Sequence, residues 1–150
     1  MTLKRQAMTL KDKAFMDVAR AMAQLGTCPR RQVGAVIVKD NRIVSTGYNG
    51  ACAGMEHCGC EIEHGHCITA VHAELNAVIQ AGYARANGGT IYTTASPCRA
   101  CMGAIINAGL KRVVYSEVYQ DPTHEGDKAA WALGAAVKVG VEMCRLVGGA

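Results

Sequence analysis

Val33-Gly34-Ala35-Val36-Ile37-Val38-Lys39, then Asp40-Asn41, then Arg42-Ile43-Val44-Ser45-Thr46-Gly47-Tyr48 is the stretch that decides the fold. Its first segment is β-branched and almost wholly apolar, which predicts a strand buried on both faces. Asp40-Asn41 supplies a turn, and Arg42 to Tyr48 returns as a second strand. A strand covered on both faces needs helices on each side and neighbours beyond the hairpin.

Those elements are legible on either side. Thr9 to Leu25 carries Leu10, Ala14, Phe15, Val18, Ala21, Met22 and Leu25 at helical spacing. Thr9 with Asp12 resembles a capping box, and Gly26 suits the stop after the last turn. A helix is predicted from His72 to Ala81 with Leu75, Val78 and Ile79 as its apolar face. Gly82 ends it, unless Tyr83 to Ala86 adds a turn. Thr90 to Thr94 reads as a strand. Pro97 to Ala108 reads as a helix with Ser96 at the N-cap, Pro97 at the first helical position and Gly109 after the end. Val113 to Ser116 is a strand, Asp127 to Val137 a helix interrupted by Gly134, and Val139 to Val147 a last strand. The later half alternates strand and helix, which implies right-handed crossovers and parallel strands. The expected fold is α/β: a three-layer α-β-α sandwich around a mixed five-stranded sheet with an antiparallel edge.

The 150 residues fit one domain, 1–150, without an interdomain linker or repeat. A net charge of +4 is spread over scattered lysines and arginines. That is not the basic stripe of a nucleic-acid-binding protein, although it can serve one anionic ligand. No stretch approaches a membrane span, and residues 1–13 lack a signal peptide's apolar core. A cytoplasmic setting is the expectation. Eight cysteines would make a disulfide framework in a secreted chain. Here they cluster with histidines, which favours metal.

The chemistry gathers in Val71-His72-Ala73-Glu74 and Ser96-Pro97-Cys98-Arg99-Ala100-Cys101. Cys98 and Cys101 stand three apart at a helix start, which turns both sulfurs to one side, where the helix dipole favours thiolates. His72 adds a nitrogen. Three protein ligands and an open fourth position is the catalytic zinc arrangement, whereas four ligands is the structural one. Glu74 need not ligate, and a carboxylate beside a metal can move a proton to and from water. Two thiolates offset the charge of zinc, so a nearby base is all the more needed. Taken alone, C-x-x-C also fits a redox pair or half a structural zinc site, and His-x-Glu is common. The joint pattern resembles the H-x-E and P-C-x-x-C signature of zinc nucleobase deaminases.

Gln32 to Val38, Ser45-Thr46-Gly47-Tyr48-Asn49-Gly50, His72-Ala73-Glu74-Leu75-Asn76-Ala77, Ser96 to Cys101 and Ile106-Asn107-Ala108-Gly109 resemble deoxycytidylate (dCMP) deaminases, the viral and bacterial members most closely. The resemblance runs from about Cys28 to Tyr119. It implies hydrolysis of dCMP to dUMP and ammonia, a step that supplies dUMP for dTMP synthesis. It implies zinc on His72, Cys98 and Cys101, with Glu74 moving protons from the attacking water to N3 of the pyrimidine and to the leaving amine. Asn49 is expected at the sugar, the backbone of Ala73 and Ser96 at the base, and Tyr119 stacked on it. Arg30 and Arg31, with the Gly50-Ala51 backbone, are candidates for the 5′-phosphate.

Some relatives carry a second, structural zinc. Cys28, Cys58, Cys60 and Cys67 are its candidate ligands, with His66 the main substitute, because a four-ligand site would fix a long loop too polar to pack itself. The resemblance further implies a homo-hexamer, activation by dCTP and inhibition by dTTP with Mg²⁺ on the triphosphate. Gly47, Tyr48, Asn49, Gly50 and Ala51 are the candidate effector loop, and no nucleic-acid or membrane partner is implied. The rival readings are a tRNA adenosine deaminase, a nucleoside deaminase, and a non-catalytic zinc-scaffold module that senses nucleotides. The Gly-Tyr-Asn-Gly segment and modest charge stand against the first, the ligand spacing against the second, and Glu74 against the third.

Overall fold

The computed structural model describes residues 8–57, 62–63, 66–118 and 127–147. In chain order its main elements are α1 (Leu10–Ala23), β1 (Gly34–Lys39), β2 (Arg42–Tyr48), α2 (Ala73–Ala86), β3 (Thr90–Ala95), α3 (Arg99–Asn107), β4 (Arg112–Glu117), α4 (Asp127–Val139) and β5 (Glu142–Arg145). The sheet order is β2-β1-β3-β4-β5. β1 runs antiparallel to β2 and to β3, whereas β3, β4 and β5 are parallel. The hairpin is therefore the antiparallel edge of a mixed sheet. Its turn places Asp40 and Asn41 at φ 52° and 59°, the left-handed conformation that two-residue hairpins use and that Asp and Asn tolerate.

Alternation along β1 divides the core. Val36 and Val38 face α1 with Met16, Ala19, Tyr92 and Val114. Ala35 and Ile37 face the other side with Ala73, Ala77, Met102, Ile105 and Ala136, from α2, α3 and α4. Among the described residues the sandwich thus has one helix on one face and three on the other, and none is long and apolar enough to cross a membrane.

Several boundaries differ from expectation for identifiable reasons. α1 ends at Ala23, and the amides of Gln24, Leu25 and Gly26 close tight turns onto Ala21, Met22 and Ala23. Gly26 is small because a β-carbon there would lie 2.6 Å from Asn49 Oδ1. Ile79 is not on the buried face of α2: it is 70% exposed, and the buried stripe is Ala73, Glu74, Ala77, Ala81 and Ala86. The alanines let the helix lie close to the sheet, and Gly47 completes the fit. A β-carbon on Gly47 would overlap the Ala73 carbonyl and stand 2.6 Å from the Ala77 nitrogen. Gly82 does not end α2 but bends it, at φ 65° and ψ 164°, before the chain continues to Ala86. α4 passes through Gly134 to Val139, so β5 is shorter than expected.

One polar knot crosses the layers. The capping box of Thr9 and Asp12 forms as predicted. Asp12 also receives Arg112 through two nitrogens, at 2.7 and 3.2 Å, and the Tyr92 hydroxyl at 2.8 Å. Burial pushes its carboxyl upward, but the hydrogen bonds from Arg112, Tyr92 and Thr9 outweigh it and hold Asp12 at about 2, below its ordinary 3.8. With the side chain only 3% exposed, this difference contributes about 2 kcal/mol.

Asp12→Asn is expected to lower the unfolding free energy at neutral pH by about 2–4 kcal/mol. A folded-state value below the unfolded one gives stability that is present above pH 3.8 and lost as pH falls through about 2. Denaturant melts of both proteins should therefore converge on acidification; a gap that persists would refute the ion-pair account.

Candidate metal and catalytic site

The site is assembled at the carboxyl end of β3, where two helices begin. His72 is the N-cap of α2 and Cys98 the N-cap of α3, and neither side chain caps its own helix. Both are free to face a shared point. The predicted helix start at Pro97 is two residues early. The Ser96 amide donates to the Glu117 carbonyl at 2.8 Å, which keeps Ser96 in the sheet, and only Cys98 turns the chain into the helix. This shift places Cys98 before the first helical residue and Cys101 in the first turn. Upstream, Gly50–Ala51 pairs antiparallel with Ala70–Val71 and holds the chain that leads into His72.

His72 Nδ1 lies 3.5 Å from Cys98 Sγ and 3.4 Å from Cys101 Sγ. All three ligand atoms fall within 4.8 Å of one another, the one such group among the described residues. With bonds of about 2.3 Å to sulfur and about 2.1 Å to nitrogen, tetrahedral zinc keeps those two ligands about 3.6 Å apart. The donor set and its spacing fit. Exposure falls from His72 through Cys98 to buried Cys101, so the cluster is open on the His72 side.

Glu74, 4% exposed, sits in the first turn of α2. Its Oε2 is 3.7 Å from Cys101 Sγ, and its Oε1 is 3.4 Å from the Thr93 hydroxyl. Burial raises the Glu74 carboxyl above its usual range. The hydrogen bond from Cys101, with help from His72, outweighs burial and pulls the Cys98 thiol down to about 4. The same contact with Cys98, then burial, pushes Cys101 up. The hydrogen bond to Cys98 raises His72. A cation bound to both sulfurs would favour the thiolate at each.

The other candidates are distributed around this centre. Asn49 is buried, and its amide is committed to the backbone: Oδ1 accepts from Val33 N at 2.8 Å and Nδ2 donates to Arg31 O at 2.7 Å. Arg31 reaches Glu117 at 3.4 Å, and Glu117 is the residue whose carbonyl holds Ser96. Arg31 therefore borders the same end of the sheet, while Arg30 is exposed beside it. Gly47 is buried under α2, and Tyr48 is partly exposed. Of the second cluster, Cys28 is buried and Cys67 half-buried, with its Sγ 3.5 Å from Thr69 Oγ1. Cys58, Cys60, the His66 side chain and Tyr119 lie outside the described residues. Thr93 was not legible as a site residue, because it reads simply as a β-branched strand position.

The profile of the cytidine and deoxycytidylate deaminase zinc-binding region matches residues 9–117. The chain is 40% identical over 119 residues to the deoxycytidylate deaminase of Mycobacterium phage D29, covering 69% of this chain and 92% of that one. It is 43% identical over 111 residues to ComE operon protein 2 of Bacillus subtilis, covering 71% of this chain and spanning 59% of that protein's length. The crystal structure of dCMP deaminase from cyanophage S-TIM5 in complex with dCMP and dUMP superposes with a TM-score of 0.77 at 30% identity, over 93% of this chain and all (100%) of that one. With its sandwich fold and its His72, Cys98, Cys101 and Glu74 centre, the chain belongs to the cytidine and deoxycytidylate deaminase family.

Proposed function

We propose that this chain is a zinc-dependent enzyme that hydrolyses dCMP to dUMP and ammonia. The observation that carries the reading is the buried Glu74 carboxyl set against a three-ligand centre that is open on one side. His72 Nδ1, Cys98 Sγ and Cys101 Sγ hold the ion. When bound, zinc supplies the electrophile that makes water a nucleophile near neutral pH. Glu74 takes a proton from the attacking water and delivers it to N3 of the pyrimidine. The oxygen adds at C4 with its remaining proton. Glu74, again a carboxylate, takes that proton and passes it to the C4 amine, and ammonia leaves as the C4 carbonyl forms with N3 protonated. Relatives named deoxycytidylate deaminase in phage and yeast support this substrate.

Around that centre, Asn49 serves the sugar with the second Nδ2 hydrogen and second Oδ1 lone pair, beyond those engaged by Arg31 and Val33. The backbone of Ala73 and Ser96, with Tyr119, serves the base. Arg31 with Arg30 serves the 5′-phosphate; Arg31 reaches Glu117 at the end of β4, beside the end of β3 that carries the centre, which supports this. Cys28, Cys67, Cys58 and Cys60, or His66 in place of one of them, hold a second, structural zinc. The segment from Gly47 to Ala51, the end of β2 and the short strand paired with Ala70–Val71, takes dCTP or dTTP with Mg²⁺ in a homo-hexamer. The setting is the cytoplasm, which keeps such thiols reduced.

Glu74→Gln should retain zinc and lose at least about a thousandfold in dUMP formation, since proton transfer is removed while the ligands stay; a variant within tenfold of wild type would overturn the role. Metal analysis should find about two zinc ions per chain, and Cys98→Ala should lose about one of them together with all activity. Activity that survives the loss would refute the ligand assignment. A phosphate site predicts that dCMP is used at least about tenfold better than deoxycytidine in kcat/KM, and equal values would remove that site.

A further inference from the structure

Thr93 is fully buried (0% exposed) in the middle of β3, between Ala35 of β1 and Tyr115 of β4. Its neighbours in the core cluster on that side, Ile91, Ala35, Ala77 and Met102, are apolar. A hydroxyl there costs desolvation that a valine of the same shape avoids, so it needs partners. It has two: the Ala95 carbonyl at 3.0 Å and Glu74 Oε1 at 3.4 Å. The second contact divides the Glu74 carboxyl. Oε1 is turned to Thr93, and Oε2 is the oxygen on the side of Cys101.

We propose that Thr93 is a positioning residue for the proton-transferring Glu74, fixing Oε1 so that Oε2 faces the ligand cluster. The inference rests on the reading of Glu74 given above. A glutamate has three rotatable side-chain bonds; Cys101 and a backbone amide also touch this carboxyl, and Thr93 is the side chain that holds Oε1. A threonine in a strand is stiff at its first side-chain torsion and makes a fixed anchor. Its hydroxyl also suits both states of its partner. It donates to Oε1 when Glu74 is a carboxylate. It accepts from a protonated Oε1 by turning its own hydrogen to the Ala95 carbonyl, so the anchor is kept through the proton cycle.

The test compares wild type, Thr93→Val and Thr93→Ser for dUMP formation and zinc content. Thr93→Val keeps the shape and deletes the anchor. It should lower kcat about tenfold, with KM for dCMP within about twofold and zinc unchanged. Thr93→Ser restores the hydroxyl and should recover kcat to within about threefold of wild type. Three results overturn the inference: Thr93→Val with wild-type kcat, Thr93→Ser as slow as Thr93→Val, or a loss that tracks zinc content or KM. A wild-type protein that leaves dCMP unchanged would instead overturn the functional reading itself.

Discussion

The centre depends on two helices starting at one strand end. His72 and Cys98 occupy equivalent N-cap positions of α2 and α3, and a helix start is where backbone N–H groups and the helix dipole favour negative charge. A thiolate at Cys98, a second sulfur at Cys101 and the Glu74 carboxylate all sit in that field. The convergence is set by close packing. Gly47 lets the first turn of α2 approach β2, and β3 leads through Ser96 and Pro97 straight into Cys98. Moving either helix outward by the width of a methyl group would separate His72 from the sulfurs.

Burial then sorts the roles. Cys101 and Glu74 are enclosed, whereas His72 is exposed. Ligands and base are thereby rigid on the protein side, and the open side is left for water and substrate. The same carboxyl that would be costly to bury alone is placed beside Thr93 and Cys101, so its desolvation is partly offset by partners. Away from the site, Asp12 and Arg112 tie α1 to the parallel half of the sheet. The layer opposite the catalytic helices is thus held by an ion pair as well as by the Met16 and Val36 cluster.

The sheet and its order of elements were legible because periodicity and turn residues agree: the almost wholly apolar run of Val33 to Lys39 reads as a strand buried on both faces, and Asp-Asn can make the tight turn. The ligand set was legible because His72, Cys98 and Cys101 are reactive types at diagnostic spacing. Two kinds of information were hidden. Helix faces made of alanine carry little hydrophobic contrast, so Ile79 and Leu75 outweighed Ala73 and Ala77 as the apparent buried stripe of α2. Side chains committed to local backbone leave no periodic trace, as with Asn49 between Val33 and Arg31 and Thr93 behind Glu74. The N-cap of α3 was misplaced for a related reason: Ser96 and Pro97 are good helix starters, but the Ser96 amide is held by Glu117 in the sheet.

The most direct test of the central claim is a crystal structure of zinc-loaded Glu74→Ala with dCMP. The account predicts intact dCMP, one ion held by His72, Cys98 and Cys101 with its fourth position toward C4 of the base, and pyrimidine N3 facing the space left at position 74. An ion closed off by a fourth protein ligand, or a nucleotide bound away from this cluster, would contradict it.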